Sequence, residues 1–502
     1  MTLAPPPLRW RVSEPPTVAP RTVGSWDRIA RKSLARVFRQ LQGGTLRLID
    51  GDGAHDFGSS PIDSSASGAR SSGTHASDSR SSGARAAAAC DTDSGEAVLG
   101  DAGVYARVAD PDLAVTVIVE NPAFYRHAVL GGNLSIAESY LNGDWHCSDL
   151  TALFRLFTRN VELSDAMDSG IRRLMQWPAR LYHRFHANSR AGSRQNIHLH
   201  YDLGNDFFAL MLDETMAYSS GIYPHASSGL RDASIEKMDR LCRKLDLRAR
   251  DRLLEIGTGW GGLAMHAARH YGCRVTTTTV SKEQREEALR RIAQAGLADR
   301  IEVLLTDYRD LTGRYDKIVS VEMVEAVGHE FLPDYFRQLG RLLEPHGTAA
   351  IQGIVMGEQR HAQYLRNVDF IQRYVFPGGC LPSIGSLVQA SSRGSDLRLV
   401  HVEDFAEHYA RTLADWRDRY LQQLPEVRQL GYPDRFLRLW NYYLCYCEAG
   451  FAERYLSVVH LQFDKPSCLR DPLRLTRQAA APANMLASVS SPPAERSAPL
   501  PT

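Results

Sequence analysis

The stretch LLEIGTGWGG sets Gly257, Gly259 and Gly262 in a GxGxxG spacing, behind a short apolar run and ahead of a helical pattern. Glycines there let the backbone turn tightly and approach a ligand with no Cβ in the way, while the amides of the helix N-terminus face it. The chemistry this permits is nucleotide binding, for which two ligand classes compete. A dinucleotide needs a carboxylate about 20 residues on, at the end of the next strand, for its ribose hydroxyls. Here that strand ends Thr276-Thr-Thr-Thr-Val-Ser281, and the next acid, Glu283, already sits in a helical pattern. Glu255, two residues before the first glycine, instead suits the ammonium end of S-adenosylmethionine, so the loop favours a methyl donor over a dinucleotide.

Such a loop works at the carboxyl ends of parallel strands. RLLEIG, CRVTTTTV, IEVLLT, DKIVSVEM and GTAAIQGIVM read as strands, with helical patterns such as GLAMHAARHYG and KEQREEALRRIAQAGL between them. The alternation predicts an α/β fold over residues 195–469: a doubly wound, mostly parallel, Rossmann-like sheet with helices on both faces. Residues 25–165 read as a small α+β domain. In it Trp26 to Gln42 is helix-like, TLRLID, VYARVA and LAVTVIVE are strand-like, and Asn121-Pro122 opens helical patterns through NPAFYRHAVLGG and SIAESYLNG. A Ser/Gly/Ala tract, 51–97, interrupts this domain and is expected to be a disordered insertion, as are the proline-rich 1–24 and the tail 470–502. Residues 166–194 read as a basic amphipathic linker; from 155 to 194 eight arginines face three acids. Such a segment suits anionic lipid headgroups, or is simply a solvated helix face.

A chain of 502 residues exceeds one ordinary core, and 59 Lys plus Arg against 58 Asp plus Glu leaves a charge of only +1, which gives no reason to expect nucleic acid as a partner. The eight cysteines form no CxxC pair, so free thiols in a reducing compartment are expected. No metal site is expected: His329-Glu330 would need a histidine where Pro333 stands, and His198 and His200 lack a third ligand nearby. Prolines occupy the place of a signal-peptide core and no run of 18 apolar residues occurs, so the expected location is cytoplasmic, peripheral on the inner membrane face.

Longer motifs then come in a recognisable order: His200-Tyr-Asp-Leu-Gly-Asn-Asp-Phe-Phe208, Met216-Ala-Tyr-Ser219, the glycine loop, Thr279-Val-Ser-Lys-Glu-Gln284, Asp307-Tyr-Arg-Asp310, Ser320-Val-Glu-Met323 and Phe376-Pro-Gly-Gly-Cys-Leu-Pro382. Over residues 195–469 the chain resembles the cyclopropane fatty acid synthases, and ESYLNGDW is similar to their small N-terminal domain. The resemblance implies a class I methyltransferase fold, S-adenosylmethionine as cofactor, and action on cis double bonds of acyl chains in membrane phospholipids, forming a cyclopropane ring. It implies cofactor contacts at Tyr218 and Ser219, along the loop from Glu255 through Gly257, Gly259, Gly261 and Gly262 to Leu263, at Thr279 and Gln284, and at Asp307 and Tyr308. The unsaturated phospholipid at the membrane surface is the expected partner, and a homodimer the assembly to consider.

An isolated alkene is a poor nucleophile, so the methyl must be presented to the π bond in a dry pocket and the resulting cation stabilised. Ring closure then needs a base for a proton of the new methyl. In the family this is a bicarbonate ion held by a cysteine, a glutamate, a histidine, the backbone at an isoleucine, and a tyrosine. Carried over, the glutamate is Glu325, the isoleucine Ile354 and the tyrosine Tyr409, but Ser220 stands for the cysteine and Gln352 for the histidine, and Ala326 follows the glutamate where histidine is common. An anion could still be held by Ser220, Gln352 and the Ile354 amide, with Glu325 accepting its proton. With the base misplaced, the same cation yields a methylene branch. A late family cysteine aligns with Cys447, read either as a thiol near the acyl pocket or as core. The series Phe436, Leu439, Trp440, Tyr443, Leu444 and Tyr446 has helix periodicity and is either core or acyl tunnel. Two other classes remain: a non-catalytic lipid-binding relative, motivated by Ser220 and Gln352, and a small-molecule methyltransferase.

Overall fold

The computed structural model describes residues 24–59, 113–163 and 203–469. The linker 166–194, His198, His200 and the strand-like VYARVA lie outside the described residues, as do the two terminal segments but for Gly24.

The N-terminal domain is a four-stranded sheet in the order β2-β1-β3-β4, built from β1 (Gly44–Asp50), β2 (Gly53–Ser59), β3 (Leu113–Val119) and β4 (Trp145–Cys147). Helices α1 (Ser25–Phe38), α2 (Ala123–Leu141) and α3 (Leu150–Arg159) pack with it. Strand alternation decides its faces: Leu46, Leu48, Val115 and Val117 are buried while Arg47 and Thr45 look outward or lie at the surface. The two helical patterns of the sequence are one element, α2, kinked at Gly132, whose φ of 61° no helix adopts. β2 corrects the insertion boundary. Residues 53–59, expected to be part of the disordered tract, pair across a tight two-residue turn in full antiparallel register with β1, Leu46 opposite Phe57, and Phe57 buries its ring against Phe38 of α1.

The larger domain follows the sequence expectation of an α/β methyltransferase sheet. Its order is β10-β11-β9-β8-β5-β6-β7, from β5 (Arg252–Ile256), β6 (Arg274–Thr279), β7 (Ile301–Leu305), β8 (Tyr315–Val321), β9 (Leu343–Met356), β10 (Arg398–Asp404) and β11 (Leu456–Asp464). Strands β5 to β9 run parallel, whereas β11 pairs antiparallel with β9 and β10. The helices used below are α4 (Asn205–Met211), α5 (Leu230–Lys244), α6 (Gly262–Tyr271), α7 (Lys282–Gln294), α8 (Leu332–Leu342), α9 (Ile384–Gly394), α10 (Ala406–Gln422) and α11 (Asp434–Ala452). β5 is covered on both faces, which is why RLLEI reads as a near-continuous apolar run. The loops after β5, β6, β7 and β8 therefore meet at one edge of the sheet, around the crevice where nucleotides bind in this architecture.

The two domains share one apolar core, in which Leu34, Phe38 and Trp145 belong with Phe207, Trp440 and Tyr442. α3 lies on α11 with the Phe154 and Tyr442 rings 4.8 Å apart, and Glu453 receives Arg155 Nε at 2.7 Å and Arg159 Nε at 2.9 Å. The aromatic series of α11 is mostly this core.

Candidate active site

The glycine loop leaves β5 with the Gly257 and Thr258 amides both donating to the Thr278 carbonyl at 3.0 Å, which fixes it against β6. Gly259 has φ +52°, and a Cβ on Gly262 would stand 2.7 Å from the Thr215 carbonyl oxygen, so neither position accepts a side chain without strain. The loop floors a pocket of about 180 Å³. Of the expected contacts, Tyr218, Ser219, Glu255, Gly257, Gly259, Gly262, Thr279, Gln284, Asp307 and Tyr308 all line it. Gly261 does not: it is the left-handed N-cap of α6, its α-carbon turned toward Ala288 of α7.

The threonine run at the end of β6 is buried and satisfied. Thr277 donates to Glu255 Oε2 at 2.6 Å, and Thr279 donates to Gln284 Oε1 at 2.9 Å. Burial pushes the Glu255 carboxyl up to about 8, against the opposing pull of Thr277 and the Lys237 ammonium. Lys237 is itself buried in this pocket, donating to Ser219 Oγ at 2.8 Å, and burial lowers its pKa. Asp307 is gripped by Arg309, whose Nε is 2.8 Å away, and Tyr308 packs edge-on against Tyr335. Bare glycine backbone, two buried carboxylates and flanking aromatic rings fit S-adenosylmethionine.

A second, apolar cavity of about 440 Å³ lies beside it, walled by both domains: Leu48, Val117 and Phe154 from one, Ile354, Tyr443 and Cys447 from the other. The two chambers share Tyr218, Glu322 and Ala326. Glu325, Ile354, Tyr409 and Cys447 line the cavity as the resemblance implies. Burial pushes the Cys447 thiol far above its ordinary range, so it behaves as apolar wall.

Ser220 and Gln352 line neither chamber. Both are fully buried behind Glu322, whose role the sequence reading missed. Glu322 Oε1 accepts from the Ser220 amide and from Gln352 Nε2, each at 2.9 Å, and Oε2 accepts from the Tyr409 hydroxyl at 2.8 Å. Ser220 Oγ donates to the Gly221 carbonyl. The Ile354 amide donates to Glu325 Oε1 at 2.5 Å, leaving buried Glu325 Oε2 with no hydrogen-bond partner among the described residues. Burial, reinforced by Glu322, pushes the Glu325 carboxyl up to about 8. A bicarbonate ion does not fit this arrangement, because the donors expected to hold it are already bonded within the chain: Gln352 Nε2, the Ile354 amide and the Tyr409 hydroxyl to carboxylates, and Ser220 Oγ to a backbone carbonyl.

No cluster of His, Cys, Asp and Glu among the described residues could hold a metal, and no described helix is long and apolar enough to cross a membrane.

The comparisons with known proteins agree with this geometry. Residues 188–461 match the family described as mycolic acid cyclopropane synthetase. The chain is 37% identical over 367 residues to the tuberculostearic acid methyltransferase UfaA1 of Mycobacterium tuberculosis, covering 71% of this chain and 84% of that one. It is 34% identical over 360 residues to the cyclopropane-fatty-acyl-phospholipid synthase of Escherichia coli K12, covering 69% and 87%. The crystal structure of mycolic acid cyclopropane synthase CmaA1 complexed with SAH and CTAB superposes with a TM-score of 0.51 at 30% identity, over 54% of this chain and 98% of that one. With the glycine-floored pocket and its adjoining apolar chamber, these likenesses establish that the chain belongs to the mycolic acid cyclopropane synthetase family and is an S-adenosylmethionine-dependent C-methyltransferase.

Proposed function

We propose that this enzyme methylates the cis double bond of unsaturated fatty acyl chains carried on membrane phospholipids. The observation that carries the reading is the junction of the two chambers at Tyr218, Glu322 and Ala326: an apolar cavity of about 440 Å³ adjoins the pocket suited to the methyl donor and shares these three wall residues with it. The donor supplies an electrophilic methyl group. Glu255 and Lys237 would hold its polar end, and Asp307, Gln284, Tyr218 and Tyr308, which line the same pocket, would contact the remainder. The apolar walls exclude water, so a cation on the chain is not quenched, and the aromatic faces of Tyr218 and Tyr443 stabilise it. The relatives named above support an acyl substrate: one is a tuberculostearic acid methyltransferase, the other a cyclopropane-fatty-acyl-phospholipid synthase.

The product is a methylene-bearing or, after reduction elsewhere, methyl-branched chain. This is favoured by the withdrawal of Ser220 and Gln352 from the cavity and by Ala326 at its mouth. Ring closure is the second reading, favoured by Glu325, Ile354 and Tyr409, which stand where the resemblance implies. Lipids from cells expressing the enzyme should carry monounsaturated chains heavier by 14 mass units, the mass of one CH2, and their absence overturns the reading. NMR of that product separates exocyclic methylene from ring.

A further inference from the structure

We propose that Glu322 is the resident base of this site, a protein carboxylate standing in the place of a bicarbonate ion, which this enzyme neither binds nor needs. The inference rests on the reading of the enzyme as an alkene methyltransferase. Of the three residues that border both chambers, Tyr218, Glu322 and Ala326, only Glu322 carries a carboxylate, so it meets the transferred methyl wherever cofactor and acyl chain meet. Its three donors, the Ser220 amide, Gln352 Nε2 and the Tyr409 hydroxyl, come from three separate elements, and the buried Lys237 ammonium contributes to its field. Burial raises the Glu322 carboxyl, but those donors and Lys237 all pull against it, whereas the neighbouring Glu325, raised by burial and by Glu322 itself, has one oxygen lacking a hydrogen-bond partner among the described residues; of the pair, Glu325 is the one placed to hold the proton. Glu322 also has a left-handed φ of +48°, a conformation that a side-chain-bearing residue keeps only where its surroundings over-determine it.

The electron count closes with this carboxylate alone. The π pair of the acyl double bond forms the new C–C bond as the methyl–sulfur bond breaks and its pair leaves with sulfur, placing a cation on the adjacent carbon. Glu322 then takes a proton from the new methyl. The released C–H pair either closes a three-membered ring or, after a hydride shift onto the cationic carbon, forms an exocyclic double bond. Glu322, now a carboxylic acid, returns its proton to solvent after product leaves. The three donors fill both acceptor sites of Oε1 and one of Oε2, which leaves one lone pair on Oε2 to take the proton.

The test uses the full-length enzyme in buffer freed of CO2, with bicarbonate withheld or added back. Turnover is followed by S-adenosylhomocysteine release, and anion binding by 13C NMR of labelled bicarbonate. Wild-type turnover should change by less than about twofold on bicarbonate removal, while Glu322→Gln should lose about 10²- to 10⁴-fold in kcat, the usual worth of a positioned base, with S-adenosylmethionine affinity in equilibrium dialysis unchanged. Glu322→Gly, which also relieves the positive φ, should bind the labelled ion where wild type does not, and bicarbonate should restore about tenfold of its lost turnover. Wild-type enzyme that requires or binds bicarbonate, a Glu322→Gln variant with wild-type kcat, or a Glu322→Gly variant that binds no more of the ion than wild type overturns the proposal. If wild type methylates no lipid, the functional reading fails, yet the labelled-ion comparison still decides whether Glu322 fills the anion site.

Discussion

His460 of β11 stands directly behind Gln352 of β9, its Nε2 2.9 Å from the amide oxygen. Because Gln352 gives its NH2 to Glu322, its oxygen must accept, so His460 carries its proton on Nε2. Burial drives the imidazole pKa down to about 3, so it is neutral throughout the physiological range. The imidazole absent from position 352 is thus one layer further out, serving to orient an amide. Replacing His460 by alanine strands the Gln352 oxygen in the core. We expect a loss of about 1–3 kcal/mol in urea unfolding, the cost of an unmet buried acceptor, together with a lower kcat as Gln352 turns away from Glu322. Unchanged stability and kcat would mean that this bond orients nothing.

Glu255 and Glu325 are both pushed up to about 8 by burial, from 4.5. Between those values the folded protein binds protons that the unfolded chain has released. Their contribution to stability is therefore complete below about pH 4.5 and is lost progressively as pH rises through about 8, each group giving at most about 1.4 kcal/mol per pH unit. Urea melts at pH 6 and pH 8 should show higher stability at pH 6, and Glu255→Gln should flatten the difference. An ammonium brought beside Glu255 favours the carboxylate, so S-adenosylmethionine binding at pH 7 should release a proton. Calorimetry in buffers of different ionisation enthalpy reads that proton, and Glu255→Gln should abolish it.

Much of this was legible in the chain because the physics is local. The glycine loop, the strand–helix alternation and the motif order lead to the fold, and ten of the eleven expected cofactor contacts do line one pocket. Gly261 was the exception, since spacing cannot tell a residue that lines a pocket from one that caps the helix beside it. Glu322 sat inside a quoted motif without a role. Its function depends on a positive φ and on three donors from distant elements, Tyr409 lying 87 positions away, and neither leaves a sequence signature. Lys237 was hidden for a different reason: on a charged amphipathic helix, one lysine facing inward looks like its solvated neighbours. His460 carried a faint signal, a lone imidazole in the apolar run of β11. The residues 53–59 were misjudged because glycines at 53 and 58 resemble the low-complexity tract that follows, whereas pairing with β1 is a nonlocal event.

Glu453 joins the domains by receiving Arg155 and Arg159 of α3, with the Arg155 side chain almost fully buried. Glu453→Ala removes the carboxylate that both guanidinium groups share, and charged hydrogen bonds of this kind contribute about 1.5–3 kcal/mol each. Since α3 walls the acyl cavity and not the cofactor pocket, KM for the lipid should rise while S-adenosylmethionine affinity stays constant. A parallel loss of cofactor affinity would show instead that the contact supports the whole fold.

Chain-length selection should reside in the N-terminal domain. Val117 lies on β3, buried, with its side chain on the cavity wall, and no residue of that domain lines the cofactor pocket. Val117→Phe adds bulk to the acyl chamber without touching Glu322, Glu325 or the glycine loop. Extra volume in a packed wall typically costs about 1–3 kcal/mol, which a two-domain core of this size tolerates. The variant should therefore keep its affinity for S-adenosylmethionine and its kcat on short monounsaturated chains, and lose activity on long ones through a raised KM. Mass spectrometry of lipids from expressing cells should show the 14-unit gain, one CH2, shifted toward shorter acyl chains. An unchanged chain-length profile in a folded, cofactor-binding variant would place the selecting wall in the methyltransferase domain, at the α11 aromatics.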